Sequence, residues 1–124
     1  MKLNYQDQKP IYLQLQEGLE NAILTGIYAE ETQLPSTTEL SQVFQINPAT
    51  AGKGVNALVD DGLCYKKRGI GIFVKEGARE MLKKKRQAAF KEDYLLPLVK
   101  EAKQLEISKE NLIQWIKEVN DADN

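Results

Sequence analysis

Apolar residues recur at helical spacing in several stretches of this chain and form continuous runs in two short ones. Ile11, Tyr12, Leu15, Leu19, Ala22 and Ile23 form a stripe that predicts a helix after Pro10, running to about Leu24, with Gly26 as its stop. Leu40, Val43 and Phe44 repeat the spacing behind Ser36, which can cap a helix from Thr37 and form a reciprocal box with Glu39. Another start follows at once. Asn47 is a capping residue and Pro48 suits a first helical position, so a helix is predicted from Pro48 to about Asp60 with Ala51, Val55, Leu58 and Val59 facing inward. Gly62 stops it, and Leu63 to Tyr65 and Ile72 to Val74 then flank Lys66 to Gly71 as two strands around a loop.

Helix, short turn, helix, hairpin is the order of a winged helix-turn-helix, whose second helix enters the DNA major groove. The first helix cannot bury its stripe alone and is expected to pack across the other two. Gly52 and Gly54 are awkward inside the second helix of the pair, each costing about 1 kcal/mol relative to alanine. Close approach to nucleic acid and close packing against the first helix both account for them at this point. Met1 to Lys9 is polar and expected to fray.

Beyond Val74 the pattern becomes helical again. Ala78, Met81, Leu82, Ala88 and Ala89 lead to Tyr94, Leu95, Leu98, Val99, Ala102 and Leu105, with Pro97 predicting a break between Lys91 and Pro97. Ser108 offers a cap for a last helix bearing Leu112, Ile113, Trp115, Ile116 and Val119. Fewer than fifty residues make a marginal core by themselves, so Leu95, Leu98, Val99, Leu112, Trp115, Ile116 and Val119 are candidates for burial against a second copy. Packing within the chain is the alternative. The expected architecture is therefore mainly α with a small β-hairpin: a winged helix-turn-helix in residues 1–76 and a helical dimerisation region in 77–124.

Composition narrows the chemistry. The chain has 124 residues, 28% charged and 42% hydrophobic, with no apolar run long enough for a bilayer and an N-terminus unlike a signal peptide. Those features predict a cytoplasmic protein with no membrane partner. Cys64 is the one cysteine and there is no histidine, which excludes an intrachain disulfide and a structural zinc finger; no metal or cofactor is expected. Asp60 with Asp61, and Glu92 with Asp93, lack the spaced geometry of acid–base catalysis, so no enzymatic activity is expected.

Net charge is -1, which supplies no global attraction to a polyanion. Locally the picture differs. Arg79, Lys83, Lys84, Lys85, Arg86 and Lys91 stand against Glu80 alone between positions 79 and 91, and Lys66, Lys67, Arg68 and Lys75 cluster around the predicted wing. Asn56, by its expected exposure, is a candidate base or phosphate contact on the helix from Pro48, and Lys83 to Arg86 are candidate further phosphate contacts. A solvated helix face and hairpin is the plain alternative.

Three stretches together, PIYLQLQEGLENAILTG, LPSTTELSQVFQINPATAGKGVNALVDDGL and KKRGIGIFV, resemble the GntR family of bacterial transcription regulators. The helical remainder, with DYLLPLVKEAKQLEISKENLIQWIKEV, looks like the YtrA-type subgroup. The resemblance implies a dimeric regulator, usually a repressor and often of a transporter operon, without a large ligand-binding domain. It implies DNA contacts at Ser36, Thr50, Lys53 and Arg68, with Gly69 and Gly71 letting the wing tip approach the minor groove. Three positions depart from the family pattern: Thr38 stands where arginine is usual, Ala49 where a polar or basic residue is common, and Ile72 where the wing carries threonine. The expected partners are a double-stranded DNA operator and a second copy of the chain, with room at the dimer core for an unidentified small-molecule effector. The competing expectation is a winged-helix protein-interaction module without productive DNA binding.

Overall fold

In a computed structural model of the chain, residues 1–119 are described. They fall into two compact units, with the boundary between Lys84 and Lys85.

The first unit holds α1 (Ile11–Leu24), α2 (Thr37–Phe44), α3 (Pro48–Asp60), the hairpin β1 (Cys64–Lys67) and β2 (Gly71–Val74), and the opening turns of α4 (Ala78–Phe90). Leu15, Leu19 and Ile23 of α1 meet Leu40 of α2, Ala51, Val55 and Leu58 of α3, and Leu63, Cys64 and Val74 around the hairpin in one core. Ala78 and Leu82 are fully buried in that core, so it continues past residue 76. Val59, expected inward, is only partly buried against it, and Val43 is exposed.

Local chemistry starts and stops these helices. Ser36 Oγ accepts from Glu39 N at 3.0 Å while Ser36 N donates to Glu39 Oε1 at 3.2 Å, the reciprocal box expected from sequence. Asn47 Oδ1 accepts from Ala49 N at 2.8 Å, and Pro48 occupies the first turn of α3. The hairpin is antiparallel, with Cys64 opposite Val74 and Lys67 opposite Gly71, so its loop is only Arg68 to Ile70 rather than Lys66 to Gly71. Gly69 sits at φ +78°, a conformation that favours glycine.

The two α3 glycines differ. A Cβ on Gly54 would lie 2.9 Å from the Tyr12 carbonyl oxygen and 3.1 Å from Leu15 Cδ2, so α1 and α3 are in close contact at Gly54. Around Gly52 the same test meets nothing within 4 Å.

Residues 1–9 are docked, contrary to the expectation that they fray. Asn4 N donates to Gln14 Oε1 at 2.7 Å, and Gln14 Nε2 donates to the carbonyls of Asn4 and Lys9 at 2.9 and 2.8 Å. Lys9 pairs with Glu17 at 3.0 Å, and the Tyr5 hydroxyl donates to the Phe44 carbonyl at the end of α2. A side chain on α1 thus supplies the partners that the polar segment lacks in itself.

Two neighbouring glutamates tie the α1–α2 connection to the start of α4. Glu30 accepts from Gly77 N at 2.9 Å and Arg79 N at 3.2 Å; Glu31 accepts from Glu76 N at 3.0 Å and the Tyr65 hydroxyl at 2.7 Å. The amides of Gly77 and Arg79 hold the Glu30 carboxyl below its usual 4.5.

The second unit begins within α4 and contains a π-helical turn (Lys91–Leu95), α5 (Leu96–Gln104) and α6 (Lys109–Glu118). No break occurs before Pro97. The backbone stays helical through Phe90, Leu95 and Leu96, and the wider turn lets Pro97 enter at the start of α5, where its missing N–H costs least. Glu106 at φ +58° ends α5, and Ser108 Oγ accepts from Asn111 N at 3.1 Å to cap α6. Ala102 is buried; Val99, Ile107 and Leu112 are half-buried.

Two outcomes follow from these contacts. Gly54→Ala should lower the thermal midpoint, because forcing the α1 backbone away costs about 1–3 kcal/mol against about 1 kcal/mol of helix propensity gained; Gly52→Ala should leave it unchanged or raise it. Equal midpoints for the two variants in a melting experiment would remove the close approach as the reason for Gly54. For Glu30, a depressed carboxyl contributes stability above 4.5 that is lost as pH falls through its lower folded value. Glu30→Gln should therefore melt below wild type at pH 7, and the gap should close below pH 4.5; a gap independent of pH counts against the charged clamp.

Candidate nucleic-acid interface

The turn between α2 and α3 is Gln45, Ile46 and Asn47. Gln45 takes the left-handed conformation at φ +52°, and Ser41 braces the turn by accepting from Ile46 N at 3.0 Å and donating its hydroxyl to Ile46 O at 2.6 Å. Reversal within three residues leaves Ala51, Gly54, Val55 and Leu58 inside and places Lys53 and Asn56 on the outside of α3. The outward face is the one a duplex can reach.

A groove of about 350 Å³ lies between α3, the start of α2 and the hairpin. Ser36, Asn56, Lys66 and Gly71, all candidates from sequence, line it together with Thr37 and Gly52. Gly52 belongs here because no side chain fills the space over it. Asn56 on α3 and Lys66 on β1 bring a carboxamide and an ammonium to its lining, beside the Thr37 hydroxyl.

The other candidates lie outside this groove. Thr50 is half-buried near the start of α3. Lys53 is exposed, and its Nζ rests 3.9 Å from the centre of the Tyr12 ring. Lys67 points to the opposite side of the hairpin from Lys66, as strand alternation requires, and its Nζ lies 4.2 Å from the centre of the Phe73 ring, which stacks with Tyr65. Arg68 and Gly69 are exposed at the wing tip. Lys83 pairs with Glu80 at 3.4 Å and Lys84 is exposed at the end of the first unit, while Lys85 and Arg86 open the second.

Tyr12, Ser41 and Gln33 carry roles that sequence reasoning missed. Tyr12 was assigned to the core stripe, and its ring instead supports a cation. Nothing in the local sequence separates Ser41 from the other polar positions of α2. Gln33 donates from Nε2 to the carbonyl of Ile70, 37 residues away, a contact with no local signal.

The remaining chemistry is quiet. Burial pushes the Cys64 thiol up to about 11, as for a small packed hydrophobe. The hydrogen bond to Glu31 raises the Tyr65 phenol. Among the described residues no group of three or more His, Cys, Asp or Glu could hold a metal ion, and no helix is long and apolar enough to cross a membrane.

Residues 11–74, from the first residue of α1 to the last of β2, match the family model described as bacterial regulatory proteins, gntR family. The chain belongs to the GntR family. The HTH-type transcriptional repressor YtrA of Bacillus subtilis is 29% identical over 120 residues, covering 97% of this chain and 92% of YtrA. A GntR family transcriptional regulator from Listeria monocytogenes matches in structure with a TM-score of 0.77 at 29% identity, over 94% of this chain and 100% of that one. AraR(DBD), solved in complex with operator ORX1, matches with a TM-score of 0.55 at 29% identity, over 60% of this chain and 95% of that one. A DNA-binding regulator of the GntR family built on a winged helix-turn-helix is thus established; its reading residues and assembly are matters of proposal.

Proposed function

We propose that this GntR protein is a homodimeric, YtrA-type repressor that excludes polymerase by occupying an operator, with a transporter operon as its target class. Residues 1–76 carry DNA recognition and residues 77–124 carry association, the first turns of α4 serving both the core and the connection. α3 enters the major groove and the wing follows the backbone or minor groove. Asn56 and Lys66 meet the duplex from the two sides of the groove, with Ser36, Thr50, Lys53, Lys67 and Arg68 as further contacts, Gly69 and Gly71 allowing the wing's approach, and Lys83, Lys84, Lys85 and Arg86 as outlying phosphate contacts. The grouping of Ser36, Asn56, Lys66 and Gly71 around one open groove beside an outward α3 is the observation that carries this reading.

Association is supported by apolar surface left on the second unit. Leu95, Leu98 and Trp115 are between 41% and 46% exposed, and Ile116 and Val119 are each 62% exposed. Trp115, Ile116 and Val119 extend the row begun by half-buried Leu112 at helical spacing, which a second copy can cover. Similarity to the YtrA repressor over 97% of the chain supports the repressor assignment.

Selection of genomic fragments by the purified protein supplies the operator and its half-site spacing. On that DNA, the double variant Lys53→Glu and Arg68→Glu should abolish electrophoretic retardation while leaving the native mass unchanged; retained affinity removes both residues from the interface. Ile116→Asp should halve the native mass and weaken binding, and a dimer that persists places the contact elsewhere. With about six phosphates neutralised per dimer, log affinity should fall against log salt with a slope of about -5. A slope near zero is incompatible with a wing that tracks phosphates.

A further inference from the structure

Segment 31–34 runs antiparallel to β2 as a third, irregular edge. Val74 N donates to Thr32 O at 3.0 Å and Leu34 N to Ile72 O at 2.8 Å, on either side of the bridge between Gln33 and Phe73. Bonded pairs in such a ladder recur every second residue, so the next donor toward the wing tip would be the amide of Ser36, opposite Ile70. That amide is already committed. It donates to Glu39 in the capping box that starts α2, and Pro35 before it has no N–H to offer.

The Ile70 carbonyl accepts from the Gln33 side chain instead, with Nε2 at 3.0 Å. The carboxamide adds one rung that the backbone cannot supply, because the chain has to turn away to begin the helix pair. Ile70 N donates to Lys67 O at 3.0 Å, so the tip residue is held through its amide from β1 and through its carbonyl from Gln33. Gly71 completes the arrangement. A Cβ there would overlap the Gln33 carboxamide, and the backbone at φ +152° disfavours a side chain in any case.

We propose that Gln33 is a positioning residue for DNA recognition: its carboxamide fixes the wing tip relative to the start of α2, so that Arg68 and Gly69 meet the duplex in one orientation. The role rests on the wing's part in the proposed function. It acts through the wing and requires no contact between Gln33 and DNA. Ordering three loop residues before binding removes an entropic cost from the complex, and the gain is expressed only if the wing touches DNA.

Gln33→Met keeps the length of the side chain and removes the donor. In this variant the 15N order parameters of the Gly69 and Ile70 amides should fall from a rigid value of about 0.85 to below about 0.7, with the melting midpoint unchanged. Affinity for a duplex selected by the wild-type protein from a randomised pool should fall about three- to tenfold, the range for one lost neutral hydrogen bond. In a background carrying Lys66→Ala, Lys67→Ala and Arg68→Ala, the same substitution should have no further effect on affinity. Unchanged order at the wing tip, affinity within twofold of wild type, or an equal loss in the neutralised background would each overturn the inference, the last by making Gln33 a direct contact. Neutralising the wing serves as the separate control: weakened binding there with none in Gln33→Met leaves the proposed function standing, whereas no weakening removes the wing from it.

Discussion

Close contact between α1 and α3 at Gly54 governs the arrangement of the first unit. With only a hydrogen at that position, the helices approach until the Tyr12 carbonyl and the Leu15 side chain lie against the α3 backbone. Ala51, Val55 and Leu58 are consequently drawn into the core with Leu15 and Leu19, and the opposite side of α3 is left to solvent. An outward helix with a firmly buried back can present Asn56 without moving as it does so. The braced turn at Gln45 to Asn47 supplies the second half of the constraint, since α2 has to reverse sharply for α3 to reach α1 at all.

Elements whose cause is local were legible in the sequence. Ser36 with Glu39, Asn47 with Pro48, and Ser108 each mark a helix start through groups within three residues, and all three cap as expected. Gly26 and Gly62 mark stops for the same reason, adopting positive φ that other residues resist. What escaped depended on how separate groups meet or on how a helix absorbs a fault. The polar run 1–9 offers no stripe, yet Gln14 and Phe44 satisfy its backbone and Tyr5. Pro97 signals a fault in a helix but not how it is absorbed, and a π turn repairs it without a loop. For the candidate site, Asn56 and Lys66 were chosen from residue type and position, and Ser36 and Gly71 from the family resemblance. Their meeting around one groove, and the exclusion of Thr50, Lys53 and Lys67 from it, depended on strand alternation and helix crossing together.

The glutamates and the glutamine of the α1–α2 connection give that segment a common logic. Glu30 holds the amides that open α4, Glu31 holds Tyr65 and Glu76, and Gln33 holds Ile70. Within five residues the chain fastens both ends of the hairpin and the helix that leaves it, before Pro35 turns it into α2. Hydrogen bonds to exposed groups are individually weak, and their value here is geometric. They add a fixed orientation to a hairpin and a helix start that Leu63, Cys64, Val74, Ala78 and Leu82 already anchor in the core.

Electrostatics sets the final constraint on binding. A chain of net charge -1 has no long-range pull on DNA, so attraction has to come from cations held close to where phosphates arrive. In the function proposed above, Lys53 over Tyr12 and Lys67 over Phe73 are such cations, each kept on an aromatic face with about 0.5–1 kcal/mol at stake for an exposed pair. That hold is weak enough to yield to a phosphate, whose neutralisation also releases condensed counterions. In the proposed interface, affinity therefore depends on local placement of a few charges, and that placement depends on the Tyr12 and Phe73 rings.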